Sequence, residues 1–201
     1  LTNVGGTLFF QATENTGGNE LWKSDGTEAG TVRVKDIVAG SSGSFPNRLT
    51  NVGGTLFFSA TDSTLGTELW KSDGTEAGTS PLSPYVQVTA SAPGSPVVTL
   101  NGVLYFGGQD SSGNLEPWRT DGTSAGTFKL KEIASGNGPS YPASFTAFNN
   151  RVFFSATGSS EGKELWVTDG TEAGTTLFLD IRSGLDGSSP GSLHVAGESL
   201  Y

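Results

Sequence analysis

The chain of 201 residues contains no cysteine and no methionine, and it has one histidine, His194. Without cysteine, neither disulfides nor thiolate metal sites can stabilise or operate the protein. A repeated histidine-based triad or metal centre is excluded as well, because His194 stands alone. Since no methionine stands at position 1, we expect the chain to begin inside a longer precursor or after processing, for which a cleaved signal peptide would fit.

Basic residues and long apolar runs are also scarce. Lys and Arg number 11 against 20 Asp and Glu, which gives a formal net charge of -9. A negative protein repels phosphate backbones, so we expect no nucleic-acid partner. The apolar runs are a few residues long, against the ~20 that a membrane-spanning helix needs, and we expect no membrane insertion. The 30 glycines and 10% aromatic residues favour many short strands joined by tight turns.

One motif occurs four times along the chain: ELWKSDGTEAGT at 20–31, ELWKSDGTEAGT at 68–79, EPWRTDGTSAGT at 116–127 and ELWVTDGTEAGT at 164–175. The starting glutamates are 48 residues apart at every step. A fixed period of this size predicts a propeller, solenoid or array of equivalent units within a single repeat domain, 1–201. We number the units modules 1 to 4, at 1–48, 49–96, 97–144 and 145–192. Residues 193–201 match the opening of the chain and predict the start of a fifth unit.

Each module is predicted to form four antiparallel strands. In module 1 these are LTNV, TLFFQAT, ELWKSDG and TVRVKDI, separated by turns rich in glycine. In the second strand Phe9 and Phe10 point to opposite faces, so both faces of the sheet must be covered. Module 2 departs from the pattern, because Pro81 and Pro84 interrupt its fourth strand.

Sheets covered on both faces are typical of propeller blades, which pack between two neighbours. We therefore predict an all-β protein, a β-propeller built from 48-residue four-stranded antiparallel blades. The alternative is a β-solenoid or filament-like stack of the same units. No helix is predicted.

The repeated motif resembles the bacterial ELWxxDGT repeat family, on the residues Glu20, Leu21, Trp22, Asp25, Gly26 and Thr27 and their equivalents. Pro117 replaces the leucine in module 3. The resemblance implies a large exported or surface-associated bacterial protein, with an extracellular or cell-surface location, and it implies no established reaction.

The tryptophans of the motif occupy one position of the repeat: Trp22, Trp70, Trp118 and Trp166. An aromatic platform for sugar rings is one interpretation. We favour packing between blades, because an indole buries a large apolar area.

The aspartates of the motif also recur, as Asp25, Asp73, Asp121 and Asp169. Carboxylates and loop carbonyls suit Ca²⁺, so these residues are candidate calcium ligands. The interpretation we favour is turn formation, in which each carboxylate accepts hydrogen bonds from amides two residues on. Apart from Ca²⁺, no cofactor is expected.

The glutamates of the motif are Glu20, Glu68, Glu116 and Glu164. A glycosidase needs two carboxyl groups in unlike environments, whereas equivalent positions of a repeat provide like environments. We therefore name no catalytic residue and predict that the protein is not an enzyme. The function predicted is a non-catalytic extracellular structural or adhesion scaffold, associating with itself or with the remainder of a longer chain. A lectin-like or calcium-binding module, with carbohydrate as a partner, is the alternative, and a hydrolase is a third.

Overall fold

Strands and turns account for the regular structure of the residues that the structure describes. The computed structural model describes residues 1–64, 66–82, 97–110, 112–136 and 138–201, and in these ranges it has 18 strands and no helix. The prediction of an all-β protein is confirmed. Within the same ranges, no helix has the length and apolar character that crossing a membrane would need.

The strands follow the modules. Module 1 has β1 (Thr2–Val4), β2 (Thr7–Glu14), β3 (Gly18–Ser24) and β4 (Val32–Lys35). Module 2 has β5 (Asn47–Val52), β6 (Thr55–Asp62), β7 (Gly66–Ser72) and β8 (Ser80–Pro81). Module 3 has β9 (Val98–Leu100), β10 (Val103–Gln109), β11 (Leu115–Thr120) and β12 (Phe128–Lys129). Module 4 has β13 (Ala143–Phe148), β14 (Arg151–Gly158), β15 (Gly162–Thr168) and β16 (Thr176–Leu179). A last hairpin consists of β17 (Val195–Ala196) and β18 (Ser199–Leu200).

Each module forms its own four-stranded antiparallel sheet, with the strands side by side in chain order. The register is the same in all four: Phe10 lies opposite Trp22, and the same pair recurs as Phe58 with Trp70, Phe106 with Trp118, and Phe154 with Trp166. The sequence predicts that two prolines interrupt the fourth strand of module 2. In the structure this strand, β8, is two residues long and ends at Pro81. Pro84 lies outside the described residues.

A two-residue turn joins the first two strands of each module. Gly5 and Gly6 have φ values of 58° and 88°, and the equivalent Asn149 and Asn150 of module 4 have 48° and 58°. A turn with two left-handed residues matches the twist of the strands it joins, which explains the choice of glycine and asparagine here.

Two apolar clusters each take residues from two modules. One joins Phe9, Leu21 and Val34 of module 1 to Leu56, Phe58, Ala60 and Trp70 of module 2, with Val4, Ile37 and Leu49 packed against it. The other joins modules 3 and 4 around Tyr105, Leu130, Phe145 and Phe154. The packing of one sheet face on the next therefore places much of the core between modules rather than within them.

The chain divides into two compact units, Leu1–Ala90 and Ser91–Tyr201. The first holds module 1 and module 2 up to residue 90, and the second holds modules 3 and 4 with the last hairpin. In the first unit the Thr2 hydroxyl donates to the carbonyl of Leu49 at 2.8 Å. In the second, the Thr146 hydroxyl donates to the carbonyl of Leu193 at 3.1 Å. The last hairpin thus meets module 4 as the first strand of module 2 meets module 1.

Candidate functional site

The glutamate that opens each motif is a buried hydrogen-bond acceptor. The Glu20 side chain is 0% exposed, although it is a carboxylate on a short strand. Its Oε1 accepts from the amides of Val38 and Ser44 at 3.0 and 3.1 Å, and its Oε2 accepts from the Ser44 hydroxyl at 2.5 Å. Both donors belong to the segment that links module 1 to module 2. The carboxylate therefore fixes the linker against the sheet.

Modules 3 and 4 repeat this arrangement. Glu116 accepts from the amides of Ile133 and Ala134 and from the Ser140 hydroxyl. Glu164 accepts from the amides of Ile181, Arg182 and Ser188 and from the Ser188 hydroxyl, at 2.5 to 3.2 Å. Both glutamates are 0% exposed. Sequence reasoning missed this role, and the signal that could have found it is the serine 24 residues after Glu20, Glu116 and Glu164; the equivalent position after Glu68 is Ala92.

The glutamate of module 2, Glu68, is buried as well. The positions equivalent to Val38 and Ser44 are 86 and 92, which lie outside the described residues. Burial raises the pKa of the Glu68 carboxyl, and the negative charge of Asp62 raises it further.

The pKa values of Glu116 and Glu164 shift in opposite directions, although the two residues hold the same place in the repeat. Burial raises the pKa of Glu116, and the bonds from Ser140, Ile133 and Ala134 offset this only in part, so the pKa lies above its ordinary value. Burial also raises the pKa of Glu164, but its bonds from Ser188, Arg182 and Ile181 outweigh burial and hold the pKa below its ordinary value.

The aspartate of each motif lies in a turn and accepts two hydrogen bonds. Asp169 Oδ1 accepts from the amide of Thr171 at 2.9 Å and from its hydroxyl at 2.7 Å. The Thr171 hydroxyl oxygen in turn accepts from the amide of Gly174 at 2.9 Å. The same three bonds form at Asp25, Asp73 and Asp121. The hydroxyl of the threonine, followed by its amide, lowers the pKa of all four aspartates.

Glycine at the end of this turn makes room for the aspartate. A Cβ at Gly174 would overlap the Asp169 carboxylate. We expect Gly174→Ala to reduce the free energy of unfolding by about 1 to 3 kcal/mol, because the carboxylate must leave its position. Urea unfolding measures the change. Gly191→Ala is the matched control, since a Cβ there meets no atom within 4 Å, and its effect should stay below about 0.5 kcal/mol. Equal losses in the two variants would contradict this role for Gly174.

Metal ligation by the aspartates stays a prediction. Within the part of the chain that the structure describes, no three His, Asp or Glu side chains come together as a metal-binding group. The turn-forming bonds described above use Oδ1 of each aspartate. Oδ2 of Asp25 and of its equivalents takes no part in those bonds.

The four tryptophans are enclosed to different extents. Trp70, Trp118 and Trp166 are at most 8% exposed, whereas Trp22 is half-buried. Each indole N–H is buried, and none has a hydrogen-bond partner among the described residues. Trp70 belongs to the cluster shared by modules 1 and 2, and Trp166 to the cluster shared by modules 3 and 4. The packing role proposed for the full set remains a prediction.

The single histidine lies in the last hairpin. The His194 ring stacks on Tyr201 with centroids 5.8 Å apart, and the two residues exchange backbone hydrogen bonds of 2.9 Å. These contacts close the hairpin at its open end.

A cavity of 440 Å³ lies between module 4 and the last hairpin. Its lining is mostly apolar: Phe148, Phe153, Leu165, Phe178, Ile181, Pro190, Leu193, Glu198, Ser199, Leu200 and Tyr201. Sequence reasoning did not predict this cavity. No sequence pattern indicates it, because Phe178, the residue of β16 that lines the cavity, takes the place of the equally apolar Val34 of β4.

Neither a family model nor a curated protein matches the chain. Solved structures do resemble it in fold. A serine-to-alanine mutant of puromycin hydrolase in complex with PGG has a TM-score of 0.59 and 15% identity, over 94% of this chain and 28% of the hydrolase chain. A second structure of puromycin hydrolase has a TM-score of 0.55 and 16% identity, over 87% of this chain and 28% of that one.

The match to an α-L-arabinofuranosidase from Clostridium thermocellum extends over 99% of this chain and 78% of the arabinofuranosidase chain, with 15% identity. Its TM-score of 0.38 is too low to support an argument. The chain spans less than a third of the length of the two puromycin hydrolase chains. At these identities the similarity bears on the fold alone. The similar structures are β-propeller proteins, whereas the described residues of this chain form five separate sheets, none of them closed, so the predicted propeller stays a prediction.

The comparisons correct the predicted function. The similar structures are those of hydrolases, and this contradicts the prediction of a non-catalytic structural or adhesion scaffold. The prediction that the protein is not an enzyme is wrong for the same reason. Sequence reasoning treated the lack of a reactive cluster in the repeat as the lack of an enzymatic role. A module repeated for its packing, however, says nothing about reacting groups elsewhere in a protein.

Proposed function

We propose that the chain is the β-propeller portion of a larger hydrolase, with modules 1 to 4 as blades. The single observation that carries the proposal is the fold similarity to puromycin hydrolase over 94% of this chain and only 28% of that one. The four equivalent four-stranded sheets also support blades, as do the cluster shared by modules 1 and 2 and the cluster shared by modules 3 and 4.

The repeated side chains fit a framework within such an enzyme. Glu20, Glu116 and Glu164 bind the linkers, and the aspartates of the motif shape the turns. His194 stacks on Tyr201 and has no carboxylate partner among the described residues. We infer that the groups that attack and protonate the substrate lie outside residues 1–201. The hairpin loops of the blades would border the path of the substrate to those groups.

Activity of the native polypeptide tests the proposal. The polypeptide that contains residues 1–201 is purified from its source and assayed with puromycin and a panel of aminoacyl amides and esters. We expect turnover by this polypeptide and none by residues 1–201 alone. Blocking turnover with a reagent that acylates active-site serines would identify the nucleophile class. A native polypeptide that hydrolyses none of these substrates would reject the proposal.

Membership of the ELWxxDGT repeat family and an extracellular or cell-surface location are part of the same proposal. The four copies of the motif support the first. Fractionation of the source cells, followed by detection with an antibody against residues 1–201, tests the second.

A further inference from the structure

Module 4 has an uncovered apolar side. Phe178 and Ile181 are 51% and 55% exposed. The residues at the same places in module 3 are Leu130 and Ile133, which are 0% and 7% exposed. Leu179 and Leu185 lie on the same stretch of chain and are more than half exposed. These four exposed apolar side chains form a patch, and a patch of this size marks a surface that another body covers.

The cavity next to this uncovered side is lined by residues equivalent to those that form the contact between modules 1 and 2. Subtracting three periods of 48 residues maps seven of its lining residues onto the cluster shared by those modules. The pairs are Phe148 with Val4, Phe153 with Phe9, Leu165 with Leu21, Phe178 with Val34, Ile181 with Ile37, Leu193 with Leu49 and Leu200 with Leu56. The lining is therefore one half of a module contact.

The cluster between modules 1 and 2 has three further members, Phe58, Ala60 and Trp70. With the same shift of three periods, the positions equivalent to these three residues come after Tyr201. In the complete contact these side chains fill the space against Phe9, Leu21 and Val34. The volume of 440 Å³ next to module 4 is the volume left where they would pack.

Module 4 also differs from module 1 in charge on this side. Lys23 Nζ donates to the carbonyl of Gly74 at 2.7 Å, and Lys35 Nζ donates to the carbonyl of Thr79 at 2.8 Å, both in module 2. The equivalent residues of module 4 are Val167 and Leu179. A body that packs on this side of module 4 therefore does so through apolar contacts. The two lysines that bond module 1 to the turn of module 2 have no equivalent in module 4.

We infer that the uncovered side of module 4 is the docking surface for a fifth module of the same repeat, carried by the same polypeptide and begun by residues 193–201. The inference rests on the stacking of modules in the proposed function and not on hydrolysis. A second copy of the chain fits less well, because its residues 1–9 would need the place that the last hairpin already occupies. The occupant contributes one aromatic strand and one strand with a tryptophan, in the register of Phe58 opposite Trp70.

Completing the module tests the inference. A copy of residues 10–48 is joined to Tyr201, which holds the place of Phe9, so that the added residues continue the hairpin. We expect the fluorescence of an added hydrophobic dye to fall to its baseline and the melting midpoint of the second unit to rise by at least about 5 °C. Hydrogen exchange should show protection of the amides of the last hairpin.

Two variants control the extension. In the first, the added copies of Phe10 and Trp22 are replaced by serine, and in the second Phe178→Asp is made in the extended chain. Both should restore dye binding and remove the rise in midpoint. Unchanged dye binding and midpoint after extension would overturn the inference. So would sedimentation showing that residues 1–201 form a dimer that no longer binds dye, because a second copy would then be the occupant. Neither readout depends on hydrolysis, so a failure of the hydrolase proposal would leave this test unaffected.

Discussion

Replacing Glu164 with alanine should lower the free energy of unfolding by about 3 to 5 kcal/mol. The carboxylate is 0% exposed and accepts four hydrogen bonds from the linker that follows module 4. Alanine removes all four at once and leaves three amides and a hydroxyl without an acceptor. The four bonds are partly buried, so water can replace the carboxylate at the more exposed donors. A donor left without a partner in a buried position costs about 1 to 3 kcal/mol, and the sum over the four bonds stays at several kcal/mol. Urea unfolding followed by tryptophan fluorescence measures the loss.

An exposed glutamate of the same module provides the control. Glu172 lies in the turn after the motif strand, and its side chain is exposed. Glu172→Ala should change the free energy of unfolding by less than about 0.5 kcal/mol. A similar small loss for Glu164→Ala would mean that the linker does not depend on the carboxylate.

The dependence on pH separates Glu164 from Glu116. The folded-state pKa of Glu164 lies below its ordinary value of 4.5. Its contribution to stability is therefore fully present above about pH 4.5 and is lost as the pH falls through the lower folded-state value. The folded-state pKa of Glu116 is raised, so the contribution of that carboxyl grows as the pH falls through the raised value. At neutral pH we expect Glu164→Gln to cost more than Glu116→Gln, and equal costs would contradict the two shifts.

The sequence was sufficient to predict the strands, because they depend on local patterns. Aromatic strands such as β6 and β14 alternate on both faces, and the turns before them carry glycine or asparagine. The exact period carried this pattern into every copy. The turn-forming role proposed for Asp169 also involves residues only two positions apart, and the structure places its bonds within that distance.

The role of the glutamates and the uncovered side of module 4 were not predictable in the same way. Glu164 meets donors 17 to 24 residues away, across a linker without a regular pattern. The exposure of Phe178 depends on what packs on module 4, which strand alternation does not reveal. Function was predicted wrongly because near-identical modules report on the packing that they share. The reacting groups of an enzyme need unlike environments, and a repeat provides few of them.

Replacing Phe154 with alanine is the second substitution expected to have a large effect, at about 3 to 5 kcal/mol. Phe154 is 0% exposed and stacks on Phe145 with ring centroids 5.1 Å apart. Its cluster takes residues from modules 3 and 4, including Tyr105 and Leu130. Truncation to alanine removes the transfer free energy of the ring and leaves a cavity between two sheets that cannot close without moving one of them.

Phe10 is the matched control, because it holds the same place in module 1 and pairs with Trp22 as Phe154 pairs with Trp166. Phe10 is only half-buried, and it is absent from the cluster shared by modules 1 and 2. Phe10→Ala should therefore cost less, about 1 to 2 kcal/mol, since partial burial reduces both the transfer and the cavity contributions. Urea titrations compare the two at unchanged slope. If both substitutions cost the same, the stability of a module would come from within its own sheet, and the contacts between modules would not be the main source of the core.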